Sequence, residues 1–542
     1  MDLSTIHSEE ITEKYEDYLT DESGLVKGYA EKIFFPKTEE ELRIIVSYAF
    51  QNNIPITISA GGSGINGGRA PLGGWIIATN EMQTLASDTT NISENCKIWE
   101  FEDQESHKKY QIMLEVVDDS TAYLTCPISM NLHEIQHCLQ NEGWFYPPDP
   151  TEWTCFMGGM IALNASGARG FKYGATRPWV HALRVILPDG DIVVEKRTDE
   201  RLIGSNDYIN LKTDKKEIKI PRPAFKIPNI NKNATGPIIH DDSHVLDLFI
   251  GTDGIFGIIS EQTMKVIRPP SDIVSMIQYC DSYEQALTLV EHCQELRNTK
   301  EPPVPLSVEF IDERALNLIR QKAEEEIPEN IKCLIYLEQD AYTEDEIDEA
   351  LDHWIEFFEE IGIDEDNNWT EMDKAGIEKH KAFRHALPEG VNMLVKKNGQ
   401  AKLGSDFAVP EKHLREFFDL MESTAEKFET YQDSISPRTD APGFVCWSHI
   451  GDCHFHLNFL PRSDQETKFA KDLLVDLMKK AVEFGGTISA EHGVGKKSYL
   501  NKPAIDLQYG QAGIDEIRKM KRIIDPNELL NRGNVIGVPE NL

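Results

Sequence analysis

Residues 60–74 read A-G-G-S-G-I-N-G-G-R-A-P-L-G-G, with seven glycines in fifteen positions. Such a stretch has too few side chains to fill a core. It does let backbone N–H groups converge at short range, which is how a loop cradles phosphate. It also lies between two apolar runs with strand character, I-P-I-T-I-S at 54–59 and W-I-I-A-T at 75–79. A flexible linker rarely joins two buried strands, so an anion cradle is the better reading. The spacing is not a Rossmann fingerprint, no helical pattern follows it, and the G-K-[ST] of a P-loop is missing.

Two more glycine clusters follow. One is F-M-G-G-M-I-A-L-N-A-S-G-A-R-G-F-K-Y-G at 156–174, just after Y-P-P-D-P. Its small residues would let a large flat ligand lie against backbone. Tight helix packing explains Gly158 and Gly159 but not the later polar series. The other is F-I-G-T-D-G-I-F-G-I-I at 249–259. Around these, the pattern predicts a helix from Thr38 to Gln51, with Thr38 as N-cap and Glu41 closing a capping box. It predicts a strand pair at 180–187 and 192–194 across the turn P-D-G-D. Residues 83–122 read as an elaborated hairpin and 196–240 as an insertion or loop.

Pro269-Pro270 marks a domain boundary, because the texture changes after it. Glycine becomes scarce, strands are predicted at 273–279 and 331–338, and a helix at 282–297. The acidic stretch 341–380 reads as helix with a solvated face. This is an α+β second domain with an antiparallel sheet. The expected division is a helical lead-in over 1–30, a first domain over 31–270, a second over 271–485, and a segment over 486–542 that packs back on the first.

The length of 542 residues exceeds one core. A formal charge of −37 argues against nucleic acid and anionic membrane surfaces as partners. No apolar run is long enough to span a bilayer. The N-terminus lacks the basic and apolar regions of a secretory signal. Nine cysteines without a C-x-x-C read as reduced thiols. A cytoplasmic location is expected, with peripheral membrane contact left open.

The densest chemistry lies at Ser448 to Phe459, S-H-I-G-D-C-H-F-H-L-N-F. Phe455, Leu457 and Phe459 take one face of a strand; His454, His456 and Asn458 take the other. His449 folds back toward that face across a turn permitted by Gly451. A second polar cluster, G-G-T-I-S-A-E-H-G-V-G-K, occupies 485–496.

These motifs, taken in order, resemble the FAD-linked oxidase family of the vanillyl-alcohol-oxidase fold. The match is best to its D-lactate, glycolate and D-2-hydroxyglutarate dehydrogenases. The terminal D-P-N-E-L-L-N at 525–531 fits as well. The resemblance spans about residues 30–540. It implies an α+β chain with a bipartite FAD-binding domain and an antiparallel-sheet substrate, or cap, domain. It places the FAD pyrophosphate on Gly61, Gly62, Ser63, Gly64 and Asn66. It places the isoalloxazine near Pro148, Asp149, Gly158, Asn164 and Ser166, and the adenine side near Gly254, Gly257 and Ile259, with Asn531 also on the cofactor. No histidine occurs in 54–80, so non-covalent FAD is expected.

The metal-containing branch implies His449, His456 and Glu491 as ligands of a divalent ion. Two imidazoles and a carboxylate suit Zn, Mn or Fe. The family pattern makes His492 the base and Arg384 the carboxylate-binding arginine, with Asn458 facing the same space. A surface ion pair is an equal reading of Arg384. The implied reaction takes a D-lactate-like 2-hydroxy acid to its 2-oxo acid, with hydride passing to flavin N5. An external electron acceptor of unknown identity is required, and a homodimer is left open.

Two departures stand out. The family's D-G-N-x-H is here Asp452-Cys453-His454-Phe455-His456. His454 is read as a lining residue, with an extra ligand as the alternative. Gly404 stands where the relatives carry lysine, with Lys402 nearby. The rival readings are an alkylglycerone-phosphate-synthase-like flavoenzyme, a flavoprotein subunit that only relays electrons, and a structural metal site with no redox role.

Overall fold

The computed structural model describes residues 7–87, 94–320, 327–437 and 441–538. Parts of the expected lead-in and of the hairpin region lie outside the described residues. Three sheets organise the chain. The first has the order Ser8–Glu10, Lys32–Phe34, Trp75–Ala78, Ile56–Ser59. Its last three strands are parallel, so the glycine loop between Ile56–Ser59 and Trp75–Ala78 emerges at a strand C-terminus. Open sheets that contain parallel strands place ligands at those ends. The described part of the lead-in is a strand and a 3-10 segment at Glu13–Leu19 rather than the expected helix. Ser8–Glu10 pairs antiparallel with Lys32–Phe34, so it extends this sheet.

The helix Glu39–Gln51 covers one face, burying Leu42, Ile45, Val46 and Ala49 at helical spacing. Thr38 caps it by accepting from Glu41 N. The Glu41 carboxylate bonds Lys37 N, one residue before the cap, so the expected capping box is displaced by one position.

The second sheet is antiparallel, in the order Cys96–Glu102, Lys109–Val116, Thr121–Pro127, Ile258–Ile267, Val180–Ile186, Ile192–Lys196. The first two strands form the expected hairpin. Residues 196–240 are more than a loop, because Tyr208–Lys212 and Glu217–Pro221 pair as a hairpin.

The third sheet is antiparallel throughout, in the order Asn368–Glu371, Asp272–Cys280, Cys333–Ala341, Ser307–Asp312, Phe444–His449, His454–Phe459, Leu403–Gly404. Asn368–Glu371 falls inside the acidic stretch expected to be helical and forms an edge. The helices Tyr283–Thr299, Lys374–Asn398, Leu414–Ile435 and Asp464–Glu483 belong to this half.

The final segment returns to the first sheet. Leu530 bridges Ile56 in parallel, and Ile58 N donates to Asn531 Oδ1 at 2.9 Å. Asn531 Nδ2 then donates to Gly254 O at 2.9 Å. One side chain thereby ties the first glycine loop's strand to the third glycine cluster.

Candidate active site

A cavity of about 470 Å³ opens where the three glycine clusters meet. Gly61, Gly62, Ser63, Gly64 and Asn66 line one end, and Gly158, Ser166, Gly254, Gly257, Ile259 and Asn531 also line it. Among the described residues, the amides of Gly61 to Gly64 find no protein acceptor. Four free donors on one loop suit a ligand phosphate. Asn66 pins the loop: its Nδ2 donates to Asp253 Oδ1 at 2.7 Å and to His492 O at 3.1 Å. A Cβ at Gly495, where φ is +47°, would lie 2.4 Å from Asn66 O. Glycine is therefore needed for the 485–496 segment to reach the loop.

Pro148, Asp149 and Asn164 stand outside this lining. Asn164 ends the helix Met157–Leu163 in the left-handed region. Its Nδ2 donates to Asn233 O and its Oδ1 accepts from Arg177 N, so packing consumes it. Asp149 accepts from Trp153 Nε1 and faces Arg169. Of the P-P-D-P motif only Pro150 lines the cavity, with Thr151 and Glu152 after it.

A second cavity of about 1000 Å³ lies against the third sheet. Its walls include Arg384, Lys402, Trp447, His449, His456 and Asn458. Glu491 and His492 line both cavities, so they form the junction.

The strands Phe444–His449 and His454–Phe459 bring the histidines together, with His449 directly opposite His454. The left-handed residue of the connecting turn is Cys453, not Gly451. Gly451 is required for a different reason. A Cβ there would lie 2.5 Å from the Phe171 ring and 2.8 Å from Val308 Cβ.

Each imidazole has one nitrogen fixed by an acceptor. His449 Nδ1 lies 2.5 Å from Glu309 Oε1, His456 Nδ1 lies 3.2 Å from Ser405 O, and His454 Nε2 lies 3.0 Å from Asp406 Oδ1. The other nitrogens all face Glu491. His449 Nε2 is 3.5 Å and His456 Nε2 3.3 Å from Oε1, and His454 Nδ1 is 3.9 Å from Oε2. His492 Nε2 is 3.5 Å from Oε1, while its Nδ1 is 3.4 Å from Asp406 Oδ1.

Burial opposes charge on Glu309, His449, His454, His456, Glu491 and Asp406. At Glu309 the neighbouring His449 and Arg384 outweigh it and hold the carboxyl at about 2. Glu309 in turn raises His449 above its ordinary range against that burial. Burial and then His456 push His454 down to about 3. Burial likewise lowers His456. Glu491 is held well below the carboxylate range despite burial, by His449 and Lys232. Asp406 is held low by His492 and His454.

Asn458 lines the second cavity and donates to His456 O. Arg384 is neither a surface ion pair nor free. Its Nη2 donates to Glu309 Oε2 at 2.5 Å while the side chain lines the cavity. Three partners escaped the sequence reading. Glu309 sits in the fully buried strand Ser307–Asp312, where an acid in an apolar run was the available signal. Asp406 lies between the short strands Leu403–Gly404 and Phe407–Ala408, which both pair with His454–Phe459. Lys232, fully buried, lies 3.6 Å from both Asp452 Oδ2 and Glu491 Oε2, and it comes from a lysine-rich insertion with no distinguishing pattern.

The donor set fits a divalent cation. Imidazole lone pairs and a carboxylate converge, and each ring is oriented by an outer acceptor as metal-ligating histidines are. Buried lone pairs facing a carboxylate repel unless a proton or cation stands between them. The first cavity fits a dinucleotide-type flavin by its free amides and glycine walls.

A family profile described as "FAD binding domain" matches residues 30–93 and 109–195, and one described as "FAD linked oxidases, C-terminal domain" matches residues 269–535. The chain is 25% identical over 535 residues to a D-lactate dehydrogenase of Anaerostipes hadrus, covering 96% of this chain and 92% of that protein. It is 25% identical to a D-2-hydroxyglutarate dehydrogenase of Stutzerimonas stutzeri, covering 93% and 90%. Among solved structures, 4-ethylphenol oxidase from Gulosibacter chungangensis superposes with a TM-score of 0.60 at 14% identity, covering 97% of this chain and 93% of that one. An alkyldihydroxyacetonephosphate synthase superposes with a TM-score of 0.60 at 15% identity, covering 94% and 77%. At these identities the structural likeness concerns fold alone.

Proposed function

Because this chain belongs to the FAD-linked oxidases, we propose that it oxidises a small 2-hydroxy acid to the 2-oxo acid where its two cavities meet. The observation that carries this reading is that Glu491 and His492 line both cavities. An acid and a base, together with Glu22, Ile65 and Thr151, then stand between a cofactor in one and a substrate in the other. The D-lactate and D-2-hydroxyglutarate dehydrogenases among the relatives support the substrate class.

FAD, when bound, supplies the acceptor for the C2 hydride. A divalent cation, when bound, supplies a Lewis acid that lowers the pKa of the substrate hydroxyl. Gly61, Gly62, Ser63, Gly64 and Asn66 would hold the pyrophosphate. Gly158 and Ser166 would lie along the ring, and Gly254, Gly257, Ile259 and Asn531 at the far wall. Non-covalent binding is favoured. Cys155 lines the cavity, but burial pushes its thiol up to about 12, which leaves little nucleophilic thiolate.

His449, His456 and Glu491 would hold the cation. Asp406, 3.4 Å from His492 Nδ1, would favour the tautomer with its proton there, leaving Nε2 to take the hydroxyl proton. Arg384, anchored to Glu309, presents its remaining N–H groups to the substrate carboxylate. Asn458 adds a polar wall.

The test is turnover with an artificial electron acceptor and a set of 2-hydroxy acids, with the product trapped as its hydrazone. The account expects a 2-oxo acid from at least one of them, and loss of product after chelation. Flavin retention with no oxo acid from any member of the set would point to the electron-relay reading instead.

A further inference from the structure

His454 was expected to line the pocket. It does not. It is fully buried and absent from the walls of both cavities. Its Nε2 donates to Asp406, a carboxylate that only accepts, so the ring proton sits on Nε2 and Nδ1 carries a lone pair. Among the described residues, Nδ1 has no hydrogen-bond partner. An unpartnered nitrogen at full burial costs stability unless something electropositive meets it. It points instead at a carboxylate oxygen 3.9 Å away.

We propose that His454 Nδ1 is a fourth ligand to the cation held by His449, His456 and Glu491. This rests on the metal-dependent reading above. The ligand atoms of these four residues lie within 4.8 Å of one another. Bonds of about 2.1 Å put tetrahedral ligands about 3.4 Å apart, so the cluster needs only a small contraction around an ion. His454 is absent from the walls of the substrate cavity, whereas His449, His456 and Glu491 all line it. A fourth protein ligand that stands outside the cavity lining would leave the side of the ion that faces the cavity to the substrate. The donor set becomes three imidazoles and one carboxylate. That set selects zinc or ferrous iron over the oxygen-preferring magnesium and calcium. Asp406 is then a positioning residue that keeps the His454 ring in its ligating tautomer.

Diffraction from the Zn²⁺-loaded flavoprotein, recorded at the zinc edge, tests the placement directly. The expected result is one ion about 2.1 Å from His454 Nδ1. An ion bound by His449, His456 and Glu491 but more than about 3 Å from His454 overturns this proposal and leaves the metal-dependent reading standing. No bound Zn²⁺ at all overturns both. In solution, His454→Asn should weaken Zn²⁺ binding at least tenfold in chelator competition while FAD content stays unchanged. Equal Zn²⁺ affinity in a variant that retains FAD also contradicts the proposal.

Discussion

The Asp406 carboxylate stands 3.4 Å from His492 Nδ1 and accepts the His492 backbone N–H at 3.0 Å. The same carboxylate bonds His454 and the Ser489 hydroxyl. One acid therefore positions the proposed base and the inner imidazole together.

Replacing Asp406 by Asn keeps the volume but adds an amide N–H that faces donors. The expected result is a fall of about 10²–10⁴-fold in the rate of substrate-driven flavin reduction. FAD content and affinity for the flavin should be unchanged. Stopped-flow reduction beside a flavin titration checks both. A variant that reduces at the wild-type rate would remove Asp406 from the base's environment.

Asn531 makes three bonds between segments far apart in the chain, to Ile58 N, Asp253 O and Gly254 O. Asn531→Ala strands Ile58 N and Gly254 O, while Asp253 O keeps its bond from Asn534 Nδ2, at a cost of roughly 1–3 kcal/mol. The wall facing the glycine loop loosens with it. We expect a purified variant with reduced FAD occupancy, partly restored by added FAD. Full occupancy with a wild-type thermal midpoint would contradict this role.

Arg384 bonds Glu309, and Glu309 bonds His449. Arg384→Lys keeps the charge but loses the planar fork. The predicted effect is a raised KM for the hydroxy acid of about tenfold or more, since a charged hydrogen bond contributes about 1.5–3 kcal/mol. Steady-state kinetics resolve KM from kcat, and a change in kcat alone would place Arg384 elsewhere.

A pH effect on stability follows from Glu422. Burial, then Asp312, raises its carboxyl to about 8, and one of its oxygens has no partner among the described residues. The unfolded chain ionises this group near its ordinary value while the folded chain keeps it protonated. The unfolded state then binds fewer protons, and stability falls as pH rises from about 4.5 through about 8. Glu422→Gln should leave stability unchanged at pH 4 and raise it at pH 9 by on the order of 1 kcal/mol, read from the shift of the thermal midpoint. An equal shift at both pH values would contradict the assignment.

Much of the architecture was legible because it rests on local signals. The glycine loop declared itself by composition, and the alternation after His454 fixed which face carries imidazoles. Thr38 and Ser282 act as N-caps where helix starts were expected. Glu491 and His492 were legible by motif. The outer acceptors were less so. Lys232 reaches the site from a polar insertion, and Glu309 meets His449 only because Ser307–Asp312 lies beside Phe444–His449 in the sheet. Such neighbours depend on long-range pairing, which local periodicity does not encode. Asn164, expected beside the flavin from its motif, serves as a helix terminus outside the lining of the first cavity.

The central claim is that a 2-hydroxy acid delivers hydride to the flavin beside His492. Anaerobic loss of oxidised-flavin absorbance, measured across D- and L-2-hydroxy acids, tests it most directly. The account predicts rapid bleaching by at least one acid, greatly slowed by a chelator, and lost in His492→Ala with FAD retained. Bleaching by none of the acids in the FAD-replete wild-type protein would contradict it.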